Sequence, residues 1–254
     1  MMLTLVGIFL IIGLVLVGIY VRGKSEKLEE NPYRWVKGIL TLNPIPSAKE
    51  IWDMGFNVLV PYGYRYDSQK RFIQEFIDLG GKVIWCGGVR NNEIGIIAYN
   101  LMDEPDCRKM TPEEMEKKRL HYKEKTNLPL TCVICGADIG CGYGKKKEWK
   151  EFINRLDFVM LDIYPYRVWI EEGKEIEEME RCLKKEWKGI KVPIIPIIQA
   201  HSSKVYRCRK PEAKPQIDFW GKNGMGFIVY PWKDSYDGVK DNIEEWRKVL
   251  KEVS

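Results

Sequence analysis

Eight apolar, strand-like runs follow one another between residues 34 and 254, and helix-like runs separate most of them. The strand-like runs are RWVKGILTL, FNVLVPYG, KVIWCGG, GIIAYNLM, LTCVICGAD, FVMLDIYPY, VPIIPIIQAH and GFIVYPW. Between them lie PSAKEIWDMG, SQKRFIQEFIDLG, TPEEMEKKRLHYKEKT, KKKEWKEFINRL, IEEMERCLKKEWK and EAKPQIDFWGKNG, and DNIEEWRKVLKEV closes the chain. Their apolar residues recur at spacings of three and four, the helical period. The segment around VRNNE, between the third and fourth strands, is too short for a helix. Strands that are apolar nearly throughout are those covered on both faces of a parallel sheet. The pattern predicts an α/β fold, a (β/α)8 TIM barrel. The alternative, an open doubly wound sheet, would bring a glycine-rich phosphate turn after its first strand, and LTLNPIPS has none.

Residues 3–21, LTLVGIFLIIGLVLVGIYV, carry no charge, and a run of that length spans a bilayer. It is apolar on every face, unlike a core helix. It also lacks the basic leader and clear A-x-A site of a cleaved signal peptide. The reading is a transmembrane N-terminal anchor over 1–22, a polar linker over 23–33 and the barrel over 34–254. Arg22, Lys24 and Lys27 follow the span and no Lys or Arg precedes it. Taken alone, that asymmetry places the barrel in the cytoplasm. The 41 basic and 36 acidic side chains give a net charge of only +5, and no basic run dominates, so nucleic acid is not an expected partner.

Cys132 and Cys135 form a C-x-x-C, but residues three apart on a strand point to opposite faces and make a poor chelate. Cys132 and Cys182 read as core residues. Cys86, Cys107, Cys141 and Cys208 fall at strand ends or in loops, where one disulfide among them suits an extracellular domain. His121 reads as a surface residue on a helix. No ligand set has zinc spacing, so neither metal nor cofactor is expected.

Sites in such a barrel form at the C-terminal ends of the strands. Those ends supply Tyr62, Tyr64, Trp85, Cys86, Asp103, Glu104 and Asp138, then Asp162, Tyr164, Tyr166, Gln199, His201, Tyr230, Trp232 and Asp234. Acids and aromatics converge on one rim. Sugar C–H faces stack on rings, and their hydroxyls bond acids and amides, so carbohydrate is the expected partner. Tyr62, Trp85, Asp138, Tyr164, Gln199, His201, Tyr230 and Trp232 are read as substrate-binding. Asp162 and Tyr164 share a strand face. Trp149, Trp187, Trp220 and Trp246 lie on helices and read as packing against the barrel.

LMDEPD at the end of the fourth strand resembles the acid/base strand of glycoside hydrolase barrels. LDIYPY on the sixth strand and VYPW on the eighth are similar to uncharacterised members of that superfamily. The resemblance covers 34–254 in architecture and these short strings in motif. It implies a glycosidase acting on a polysaccharide or glycoconjugate, with Glu104 as general acid and Asp162 and Asp103 as the other catalytic carboxylates. It also favours the barrel outside the cell, against the flanking charge. The chain departs from the retaining clan, which has Asn before the donor Glu and a Glu nucleophile on strand seven. Here Asp103 precedes Glu104 and the seventh strand ends IIQAH without an acid. A two-carboxylate retaining route is therefore unsupported. A substrate-assisted route remains, as in hexosaminidases with a D–E pair at this place, as does inversion with Asp162 or Asp138 as base. A carbohydrate-binding barrel without catalysis and a cytoplasm-facing barrel of another reaction class are the alternatives. The plainest reading of DEPD is a strand surfacing into a loop, with Asp106 or Thr111 capping the next helix.

Overall fold

The structure, a computed structural model, describes residues 31–41, 47–62, 67–108, 110–135, 149–186, 190–204, 207–233 and 238–253. The strands are β1 Lys37–Thr41, β2 Val58–Pro61, β3 Lys82–Cys86, β4 Ile96–Asp103, β5 Leu130–Ile134, β6 Val159–Ile163, β7 Ile194–Gln199 and β8 Phe227–Tyr230. They close in chain order into one barrel. All pairings are parallel, and β8 returns to β1 with Ile228 opposite Gly38, which removes the sheet edges. The expected (β/α)8 barrel is the observed fold. The expected membrane helix over 3–21 lies outside the described residues. Among those described, no helix is long and apolar enough to cross a membrane.

The helices are α1 Ala48–Asp53, α2 Asp67–Asp78, α3 Pro112–Lys123, α4 Trp149–Ile153, α5 Glu175–Glu186, α6 Ala213–Lys222 and α7 Ile243–Glu252. Two layers of core result. Val58, Val60, Ile84, Val133, Met160 and Ile197 fill the barrel interior. A larger cluster packs between strands and helices, and Trp220 and Trp246 anchor it from α6 and α7. On α7, Trp246, Val249 and Leu250 repeat at three- and four-residue spacing and are all buried, which is why this helix docks by one face.

As expected, no helix separates β3 from β4. Side chains hold that connection instead. Tyr99 Oη accepts the Arg90 amide at 3.1 Å, Tyr122 Oη donates to the Gly87 carbonyl at 2.8 Å, and Thr126 Oγ1 donates to Glu93 at 2.7 Å. At the start of α3, Thr111 Oγ1 accepts the Glu114 amide at 3.2 Å and Glu114 accepts the Thr111 amide at 2.8 Å. This capping box, with Pro112 in the first turn, begins the helix cleanly just after the DEPD loop.

Candidate active site

The C-terminal ends of the strands enclose a cavity of about 270 Å³. Asp103, Glu104 and Asp162 line it together with Tyr62, Tyr164, His201 and Tyr230. Leu40 and Val133 add apolar surface, and Arg108 and Arg167 add positive charge. Among the described residues, the expected acids Asp103, Glu104 and Asp162 therefore meet in one place with Tyr62, Tyr164, His201 and Tyr230.

Glu104 reaches the cavity by an unusual backbone path. The register between β4 and β5 shifts between Asn100 and Asp103, and a bulge of this kind re-aims the side chains that follow it. Glu104 then takes φ 46°, a left-handed conformation that costs a non-glycine residue energy. Its amide still bonds to the Val133 carbonyl at 2.9 Å, and its own carbonyl accepts the Cys107 amide at 3.0 Å. The strained residue is thus pinned from both sides. Asp106 does not cap α3. It is fully buried and accepts the Cys135 amide at 3.1 Å, tying the loop to the end of β5.

The Glu104 and Asp162 carboxyl groups share this cavity and act on each other's proton affinity. Tyr164 Oη donates to Asp162 Oδ1 at 2.9 Å. Burial pushes the Asp162 carboxyl well above its ordinary value, and the Glu104 charge adds to this. Burial also raises Glu104, and the nearby Asp103 and Asp106 charges act in the same direction. Two carboxyl groups in one cavity cannot both ionise cheaply, so the pair retains protons that separate acids would release.

Asp103 has a different environment. Arg108 Nη2 donates to its Oδ2 at 2.7 Å, and Arg108 Nε donates to its backbone carbonyl, also at 2.7 Å. Asn100 Nδ2 donates to Tyr62 Oη at 2.7 Å, and the Asp103 charge helps to hold the buried Tyr62 hydroxyl in its neutral form.

Tyr164, His201 and Tyr230 form an aromatic wall. The His201 ring stands edge-on to both tyrosines, with centroids 5.2 Å apart in each case. Tyr164 and Tyr230 lie 6.0 Å apart at 29°.

Three expected substrate contacts lie elsewhere. Trp85 faces the helices, half-buried against the outer core, with the Arg90 guanidinium carbon 4.5 Å from its ring centroid. The inward residue on β3 is Cys86, whose thiol burial pushes up to about 12. Trp232 is buried in the outer cluster and does not line the cavity. Gln199 is fully buried, and its amide binds backbone groups, accepting from Tyr166 at 3.2 Å and donating to His201 at 2.8 Å and Arg209 at 3.2 Å. It ties two loops together. Asp138, Tyr64 and Asp234 lie outside the described residues. Sequence reasoning missed Arg108 and Arg167. Both follow directly on quoted motifs, LMDEPD-C-R and LDIYPY-R, and basic residues so near strand-end acids were the signal.

The cysteines depart from expectation. Cys86, Cys107 and Cys208 carry thiols, as do Cys132 and Cys182, both buried as expected. The disulfide is instead at Cys135, and Cys141 lies outside the described residues. One ligand atom each of Glu104, Cys107 and Cys135 lie within 4.8 Å of one another, a metal-like spacing. The donors do not suit an ion. Cys135 is oxidised, and burial with the Asp106 charge raises the Cys107 thiol far above its usual range, while metals bind thiolate.

No family model matches the chain. GMP synthase (glutamine-hydrolysing) from Streptococcus mutans is 27% identical to it over 153 residues. That alignment covers 56% of this chain and 28% of the synthase, too little of the latter to carry its activity across. Solved structures share the fold. A β-glucuronidase from Faecalibacterium prausnitzii superposes with a TM-score of 0.60 at 13% identity, over 87% of this chain and 49% of that one. A GH2 β-galacturonidase from Eisenbergiella tayi, bound to galacturonate, gives 0.57 at 15% identity over 86% and 51%. A GH128 endo-β-1,3-glucanase from Amycolatopsis mediterranei, in complex with laminaritriose, gives 0.53 at 14% identity over 85% and 99%. The chain spans about half the length of the two uronidases. Its closed eight-stranded parallel barrel is the fold it shares with these structures.

Proposed function

We propose that the barrel is a glycosidase in which Glu104 protonates the leaving glycosidic oxygen. The observation that carries this reading is that Glu104, on a strained strand end, and Asp162 line one cavity, with both proton affinities raised by burial. A general acid works best with a pKa near the working pH, and burial beside a second acid is the usual way to raise a carboxyl to that range. As the glycosidic bond breaks, Glu104 gives its proton to the departing oxygen. The Asp162 O–H then stabilises the carboxylate left on Glu104, and water adding to the anomeric carbon returns a proton to the pair. Asp103, held by Arg108, faces the positive charge that develops on the sugar. Tyr164, His201 and Tyr230 offer ring surface to its C–H face.

Asp162 accepts from Tyr164 and burial favours its protonated form, so it fits a proton partner of Glu104 better than a nucleophile. The substrates of the structural relatives, glucuronides, galacturonides and β-1,3-glucan, set the first panel. Release of aryl alcohol from aryl glycosides of these sugars, lost when Glu104 and Asp162 are both replaced, supports the reading. Saturable sugar binding with no hydrolysis anywhere in the panel would leave a carbohydrate-binding barrel instead.

We further propose that residues 3–21 anchor the barrel in a membrane and that residues 34–254 lie outside the cell. The disulfide at Cys135 supports that sidedness, because disulfides persist in oxidising compartments.

A further inference from the structure

The loop after β6 and the loop after β7 are zipped together beside the cavity. The Val168 amide donates to the Arg207 carbonyl at 2.9 Å, and the Arg209 amide donates to the Tyr166 carbonyl at 2.7 Å. Antiparallel bridges join Cys208 to both Arg167 and Ser203. This fixed rim presents a Trp169 side chain that is 51% exposed. The Arg167 guanidinium carbon lies 5.6 Å from the centroid of the cavity ring Tyr164 and 5.5 Å from that of Trp169, so one cation links cavity wall and rim. The Arg207 guanidinium carbon is also 5.5 Å from the Trp169 centroid.

Charge and backbone strain point to the same place. Lys204, Arg207 and Lys210 are exposed, and among the described residues none of them is in an ion pair. Arg209, by contrast, is bound to Glu175 at 2.6 Å. Arg207 has φ 53°, and among the described residues it and Glu104 are the non-glycine residues with positive φ. Strain of this kind persists where the surrounding structure enforces it, often at binding sites. An exposed indole held in a rigid loop is a stacking surface for a sugar, and clustered cations select for an anion.

We propose that Trp169 and its surrounding cations form a second saccharide subsite, which takes a sugar unit bearing a carboxylate or sulfate ester next to the unit held in the cavity. The proposal rests on the glycosidase reading above and adds to it a class of substrate, an acidic oligosaccharide. Trp169 supplies the platform, Arg207 and Lys204 bind the anion, and Arg167 spans the two subsites.

Calorimetric titration with three trisaccharides tests it: trigalacturonate, a sulfated trisaccharide and neutral laminaritriose. The wild type should bind one or both charged probes roughly tenfold more tightly than the neutral one, and salt should erode that margin because the cations are exposed. The tighter charged probe identifies the anion. Trp169→Ala should weaken all three by roughly three- to tenfold, and Arg207→Gln should remove most of the preference for charge. Both side chains are exposed, so melting temperatures close to wild type will show that the variants fold. Equal affinity for charged and neutral probes, or unchanged binding in both variants, overturns the proposal. Turnover of aryl monoglycosides reads the cavity separately. With that turnover present, such a result removes the rim subsite alone. With no turnover and no binding of any probe, the glycosidase reading falls as well.

Discussion

The Glu104 and Asp162 carboxyl groups line one cavity and act on each other's proton affinity, and Tyr164, just past the end of β6, donates to Asp162 at 2.9 Å. The ordinary values of these acids are 4.5 and 3.8, and burial raises both in the folded chain. The folded state therefore holds protons that the unfolded state releases. Stability from this pair is complete below about pH 4 and declines as pH rises toward the raised folded values. Asp162→Asn cannot ionise but can still accept from Tyr164. Its melting temperature should fall less between about pH 4 and 8 than that of the wild type, with about 2–4 °C for each kcal/mol of difference. Parallel pH profiles for the two proteins would show that Asp162 is not held protonated by the fold.

The Asn100 side chain donates to the buried Tyr62 hydroxyl, and Tyr62→Phe leaves it without that 2.7 Å acceptor. Asn100 is only 4% exposed, so the lost bond should cost about 1–3 kcal/mol. Denaturant titration reads this directly, and a midpoint equal to that of the wild type would mean that the bond adds nothing.

Gly226 lies just before β8, where a Cβ would stand 2.3 Å from the Tyr33 carbonyl oxygen and 2.6 Å from that of Val36. Both obstacles are backbone, so they cannot move aside as a side chain would. Gly226→Ala should destabilise by about 1–3 kcal/mol through strain at the β8–β1 closure. A variant with an unchanged denaturation midpoint would contradict this close approach.

A chain lacking residues 1–28 should be soluble and melt cooperatively, since among the described residues the buried apolar side chains run from Val36 to Leu250. Aggregation without a cooperative transition would mean that the N-terminal run belongs to the core. Protease shaving of intact cells that spares the barrel would overturn the external placement.

The barrel was legible because its signal is repetition. Each apolar run is short, yet eight in alternation with amphipathic runs fit few architectures. Glu104, Asp103 and Asp162 were legible because acids at the ends of apolar strands need a reason to be there. The face of each ring was not legible. KVIWC on β3 is apolar on both sides, so nothing in the string says that Cys86 points inward and Trp85 outward. Trp232 and Gln199 have the right chemistry and strand position, but packing and loop hydrogen bonds claim them. The left-handed turn at Glu104 was equally hidden, since it arises from a register shift between two strands rather than from a local glycine.

The central claim is that Glu104 is the general acid, and leaving-group dependence tests it most directly. Glu104→Gln preserves size and removes the proton. General acid catalysis contributes about 10²- to 10⁴-fold, so turnover of a glycoside with a poor alkyl leaving group should fall by about that much. A glycoside of an activated nitrophenol needs little protonation and should lose far less, while the melting temperature stays at or above that of the wild type. Equal losses on both substrates, or full turnover on both, would contradict the assignment and leave Glu104 a structural acid at the end of β4.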